Sequence, residues 1–212
     1  MANNCSTEYA FYSESKSKLL ELRNKFSSFL DGNEKKGYRA LQEQFLIPEK
    51  DMVKNACGDL CYVAEIRILD GYSDLYGFTL YTDDAWNAYP EVFENIINDR
   101  FPDIHFSYLA EEFGCGYAVV FNSYVSIYPF THVISAGIES CDSIMKNEAS
   151  KRFQSEEDCR NFIYQLVTEV CEKNGVSHNE ISDDSSLDEL EEFANDNLPG
   201  DDFLNVYKYD LL

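Results

Sequence analysis

The strongest constraint on this chain is an alternation between two hydrophobic periods. Apolar residues at every second position demand strands, and apolar residues at every third or fourth demand amphipathic helices. Cys5 to Ser13 (CSTEYAFYS) reads as a strand. Glu14 to Leu30 reads as a helix with Leu19, Leu22, Phe26, Phe29 and Leu30 on one face, opened by Ser13 or Ser15 and stopped at Asp31-Gly32-Asn33. In Glu34 to Leu60, Tyr38, Leu41, Phe45 and Leu46 suit a short helix ended by Pro48. Tyr62 to Leu69 alternates as a half-buried strand, and Tyr76 to Thr82 is its expected antiparallel partner. A helix from about Tyr89 to Arg100 carries Val92, Phe93, Ile96 and Ile97. Ile104 to Ala110 and Tyr117 to Asn122 read as strands about a glycine-bearing turn, and Tyr124 to Phe130 and His132 to Ile138 as two more. Ser155 caps a helix whose apolar face is Phe162, Ile163, Leu166, Val167 and Val170, and Asn174-Gly175 stops it.

Strand, helix, strand, strand, helix, strand is the split β-α-β plan of ferredoxin-like domains. The expected fold class is therefore α+β: a ferredoxin-like antiparallel sheet with extra strands and a helical acidic C-terminal extension. The boundaries predicted are 1–122 for the ferredoxin-like domain with an insertion at 31–60, 123–175 for additional strands and a helix packing on it, and 176–212 for the acidic extension.

Local motifs add a more specific resemblance. Ala2-Asn3-Asn4-Cys5 precedes the first strand, and Asp84-Ala85-Trp86 with Pro90 precedes the second helix. Phe101-Pro102-Asp103, then Glu112 and Gly114-Cys115-Gly116-Tyr117, complete the set. Over about residues 1–122 the chain resembles the YubB-type ferredoxin-like family, with Asn4 standing where that family usually carries a tryptophan. The resemblance implies a small intracellular protein of a plasmid or phage and assigns no catalytic residue, because no agreed activity attaches to the family.

Charge narrows the function. The chain has 39 Asp and Glu against 17 Lys and Arg, a net −22 on 212 residues. From Val176 to Leu212 there are 11 acids and one base, Lys208. Such a surface repels nucleic acid and anionic membrane and attracts basic partners. With 44% apolar and 15% aromatic residues the chain still fills a core. Its beginning lacks a basic start followed by an apolar run, and no stretch is long and apolar enough for a membrane helix. A cytoplasmic location is expected. The seven cysteines are an odd number without paired zinc spacing, so thiols are expected.

Candidate partner-binding residues are the densest acids: Glu180, Asp183, Asp184, Asp188, Glu189, Glu191, Glu192, Asp196, Asp201 and Asp202. On a helix from Ser186, Leu187, Leu190, Phe193 and Ala194 face inward and the acids outward. Carboxylates held on a surface can imitate nucleic-acid phosphates and occupy a Lys/Arg groove. The expected function is thus an inhibitor that binds a basic groove of a nucleic-acid-processing complex, and the plasmid or phage context implied by the resemblance makes a host defence complex, of anti-CRISPR or anti-restriction type, its expected target. An acidic accessory protein that sequesters a basic partner is one alternative. A small enzyme using Cys115, His105 and His132 is another, Cys115 lying between two glycines and the histidines on strands. No cofactor or metal is expected: Asp183 to Asp188 supplies oxygen ligands but lacks the mid-loop glycine of a calcium loop. The pairs Asp83/Asp84 and Glu111/Glu112 flank turns and are expected to be solvated.

Overall fold

The computed structural model describes residues 4–32, 36–98, 100–137, 150–198, 200 and 202–212. It is a mixed α+β structure of two compact units, 1–128 with 211–212, and 129–210.

The first unit begins with β1 (Asn4–Ser13), α1 (Lys16–Gly32) and the short α2 (Tyr38–Gln44). Next come β2 (Gly58–Val63), β3 (Arg67–Ile68), β4 (Tyr76–Ala85), α3 (Pro90–Asn98), β5 (His105–Glu112) and β6 (Tyr117–Phe121). The strands run in the order β6-β5-β1-β4-β2; β3 also pairs with β4, and β10 (Asp210–Leu211) borders β6. The pairings of β1 with β4 and β5, of β2 with β4 and of β5 with β6 are antiparallel.

Alternation along β1 and β4 sorts residues onto two faces. Tyr9, Phe11, Phe78 and Leu80 turn towards α1 and α3, whose Leu22, Phe26, Val92 and Phe93 meet them in one core. Phe11 is the hub, its ring 5.5 Å from Phe26, 5.3 Å from Phe78, 5.6 Å from Phe93 and 5.8 Å from Phe106. On the opposite face, residues 122–128 cross β1 and β5. The Tyr12 hydroxyl accepts from Tyr124 N (3.0 Å) and bonds Ser123 Oγ (2.9 Å), and the Tyr128 hydroxyl donates to Glu8 O (3.3 Å).

The second unit has a three-stranded antiparallel sheet: β7 (His132–Gly137) between β8 (Ser150–Phe153) and β9 (Phe203–Lys208). Helices α4 (Glu156–Asn174) and α5 (Leu187–Asn197) share its core, with Ile134, Phe153, Ile163, Leu166, Val170, Leu190 and Leu204 buried. Ser155 caps α4 and Gly175, in the left-handed region at φ 68°, ends it.

Several expectations are corrected. The strand expected over Tyr62 to Leu69 breaks after Val63: pairing with β4 resumes only at Arg67 opposite Gly77, one residue out of the register set by Val63 and Leu80, so the intervening residues hold an extra position that leaves the ladder. Tyr124 to Phe130 is not a strand: Asn122 Oδ1 accepts from Ile127 N (2.9 Å) and Tyr128 N (3.0 Å), replacing a ladder by a side-chain-held turn. The division falls after Tyr128 instead of residue 122, and 129–175 shares a core with the expected extension, whose Leu190 and Leu204 lie among the residues of α4. Ile138, Cys141 and Asp201 lie outside the described residues.

Candidate interaction surface and buried carboxylate

The acidic segment folds for local reasons. Ser186 Oγ accepts from Glu189 N (3.3 Å) and Glu189 Oε2 accepts from Ser186 N (2.8 Å), a complete capping box at the start of α5. Acids in that first turn also oppose the positive end of the helix dipole. Asn195 then fastens the helix to β9, its side chain donating to Leu204 O (2.7 Å) and accepting from Leu204 N (2.9 Å). The carboxylates are therefore carried on an ordered scaffold.

Their orientations differ. Glu180, Asp183, Asp184, Asp188, Glu189, Glu192 and Asp196 are exposed. Glu191 is half-buried; burial raises its carboxyl above the usual range, and Asp188 adds to the rise while the Val206 backbone opposes it. It faces β9 and so departs from the outward position expected for it. Asp202 is partly covered, and Asp201 lies outside the described residues. Glu180, Glu189, Glu192 and Asp196 line one open depression of about 330 Å³ with Ile181, Ser185, Phe193 and Asn197. Among the described residues, no Lys or Arg forms an ion pair with any of these four acids.

The first unit treats its acids differently. Asp84, at the end of β4, is 1% exposed. Its Oδ2 accepts from Thr7 Oγ1 (2.9 Å) and Thr82 Oγ1 (3.1 Å), and its Oδ1 from the Tyr38 hydroxyl (2.5 Å). Burial pushes its carboxyl up to about 6, and the three hydroxyl donors act against that rise. Gly58 opposite leaves room for the carboxylate, since a Cβ there would stand 2.4 Å from Asp84 Oδ1. Glu111 and Glu112 are also buried, at 7% and 8% exposure, and Glu112 Oε1 accepts from Gly114 N (3.0 Å). Asp84, Glu111 and Glu112 are thus buried residues, not the solvated turn acids expected, while Asp83 is exposed as expected. The pattern Phe78, Leu80, Thr82, Asp84 at every second position carries the signal for Asp84.

Of the three residues considered for nucleophilic catalysis, His105 and Cys115 are not brought together. His105 begins β5 and Cys115 follows its end, so the eight-residue strand separates them by roughly 23 Å at its usual rise. His105 stacks on Tyr124 (centroids 4.8 Å apart). His132 belongs to the second unit, where burial lowers its pKa against the opposing influence of Glu156. No group of three or more His, Cys, Asp or Glu among the described residues is arranged to hold a metal ion. No helix among them is long and apolar enough to cross a membrane.

No protein-family model, curated protein or solved structure matches the chain.

Proposed function

We propose that the protein is an acidic interaction protein whose second unit docks into a basic groove of a nucleic-acid-binding protein and competes there with nucleic acid. The observation that carries this reading is the convergence of Glu180, Glu189, Glu192 and Asp196 on one depression between a capped, packed helix and the segment that leads into it. Like charges at such spacing cost a few tenths of a kcal/mol per pair, a cost that a cationic partner reverses. A carboxylate array can replace phosphates in a Lys/Arg groove, because phosphate contacts dominate affinity there.

The first unit is read as a ferredoxin-like domain of YubB type. The order β5-β1-β4-β2, with α1 between β1 and β2 and α3 between β4 and β5, supports the ferredoxin-like part. The sequence resemblance supports a plasmid or phage context and, through it, a host defence complex as the target.

The test is competitive. A fourfold variant, Glu180→Gln, Glu189→Gln, Glu192→Gln and Asp196→Asn, keeps side-chain size and, with Gln at position 189, the capping box. Proteins captured from a bacterial lysate are eluted with salt and assayed for nucleic-acid binding with and without the wild-type protein. The reading expects the wild type to displace nucleic acid and the variant to fail. Captured proteins that bind nucleic acid and the wild type simultaneously would contradict it.

A further inference from the structure

On the first unit's sheet, the face away from α1 and α3 is covered over β1 and β5 by residues 122–128 but stays open over β2 and β4. There the pairing is unusual. Asp59 of β2 lies directly opposite Asp83 of β4, and both are exposed. Like charges in that relation destabilise a sheet. Neither forms an ion pair with a Lys or Arg among the described residues. One step along, Tyr62 faces Tyr81 with ring centroids 5.9 Å apart, and Tyr62 is 57% exposed.

This pair exists because of the irregularity in β2. Leu60 is paired with Thr82 and turns inward; by simple alternation Tyr62 would turn inward too. The register shift leaves Cys61 unpaired and places Tyr62 opposite Tyr81, on the open face, while Val63 returns to the core. Bulges of this kind re-aim side chains at functional places.

We propose that this open face is a docking surface for an arginine-bearing basic peptide segment of a protein partner. A guanidinium lies flat on a tyrosine ring and pairs with carboxylates in the same plane, whereas an ammonium gains only the charge. Glu8 of β1, opposite Tyr81, adds a third carboxylate residue beside the rings. The surface belongs to the first unit and stands independently of the acidic depression on α5.

The experiment titrates the full-length protein, with ring-labelled tyrosine, with octa-arginine and separately with octa-lysine, observed by NMR. Assignment uses Tyr62→Phe and Tyr81→Phe. Octa-arginine is expected to shift the Tyr62 and Tyr81 ring signals at concentrations at least threefold below octa-lysine. Tyr62→Leu, which keeps an apolar residue on an exposed strand, is expected to weaken octa-arginine binding at this face three- to tenfold. The fourfold α5 variant is expected to leave the ring shifts unchanged, which separates this surface from the other acidic site. Ring signals that do not move with octa-arginine, that move equally with both peptides, or that lose their response in the α5 variant would overturn the proposal.

Discussion

The two units of this protein differ in where they place acid: the first encloses Asp84, Glu111 and Glu112, whereas the described acids of the second are partly covered or exposed. The first unit carries 20 acids and 11 bases, and the second 19 acids and 6 bases on a shorter stretch. In the first, some acids are drawn into structure, while Asp59 and Asp83 stay exposed: Asp84 is enclosed by three hydroxyls, Glu112 caps a turn, and Asp103 and Glu65 pair with Lys18 and Arg23. In the second, α5 turns most of its carboxylates outward and ties its own frame with a capping box and an Asn195 clamp. Buried acid in the first unit makes stability depend on pH. Outward acid in the second stores repulsion that a partner can relieve. Net charge by itself does not distinguish these uses; the position of each carboxylate does.

The cores supply the largest perturbation. Phe93 is fully buried, with its ring 4.3 Å from Tyr9 and 5.6 Å from Phe11. Phe93→Ala is expected to cost about 3–5 kcal/mol. The buried residues of the two cores do not overlap. Hydrogen exchange should therefore show lost protection in β1, β4 and α3 while α4 and α5 keep theirs. Equal loss across both units would break the comparison at its root.

Asp84 offers the next test. Its folded-state value, about 6, lies above the ordinary 3.8. Its contribution to stability is thus fully present below that ordinary value and disappears as the pH rises through about 6. A shift of this size corresponds to roughly 3 kcal/mol at most. Denaturant titrations at pH 4 and pH 8 should show a drop in the wild type that is smaller in Asp84→Asn. An identical pH dependence in both proteins would mean that burial does not raise this carboxyl.

Ser186→Ala removes the cap that positions the α5 acids and is expected to cost about 0.5–2 kcal/mol, read from the denaturation midpoint of the second unit. Glu192→Gln should act in the opposite direction by a few tenths of a kcal/mol at low salt, by relieving repulsion from Asp188 and Asp196 one turn away on either side. Both effects sharpen the contrast, since one loosens the frame and the other relaxes the charge it holds.

Much of the first unit was legible in the sequence, because its elements carry strong period-2 and period-3.6 patterns built from large residues. Phe11, Phe78 and Phe93 announce both the elements and the faces they bury. The break in β2 was not legible: nothing in Leu60-Cys61-Tyr62 marks the register shift, which is set by pairing with Thr82 and Tyr81. Asp84 was misread because a carboxylate next to another at a strand end resembles a turn, although the alternation through Thr82 pointed inward. In the second unit, α5 and its cap were readable from Ser186, Leu187 and Leu190. Strand β9 was not, since Leu204 and Val206 alone give a weak pattern and their burial comes from non-local packing against α5 and β7.

The most direct test of the central claim is a nucleic-acid displacement assay with the captured partner, run at low salt and again at raised salt with the wild type and the fourfold α5 variant. The account predicts displacement by the wild type that weakens steeply with salt, as expected of screened charge, and little displacement by the variant. Displacement of equal strength by both proteins would contradict it.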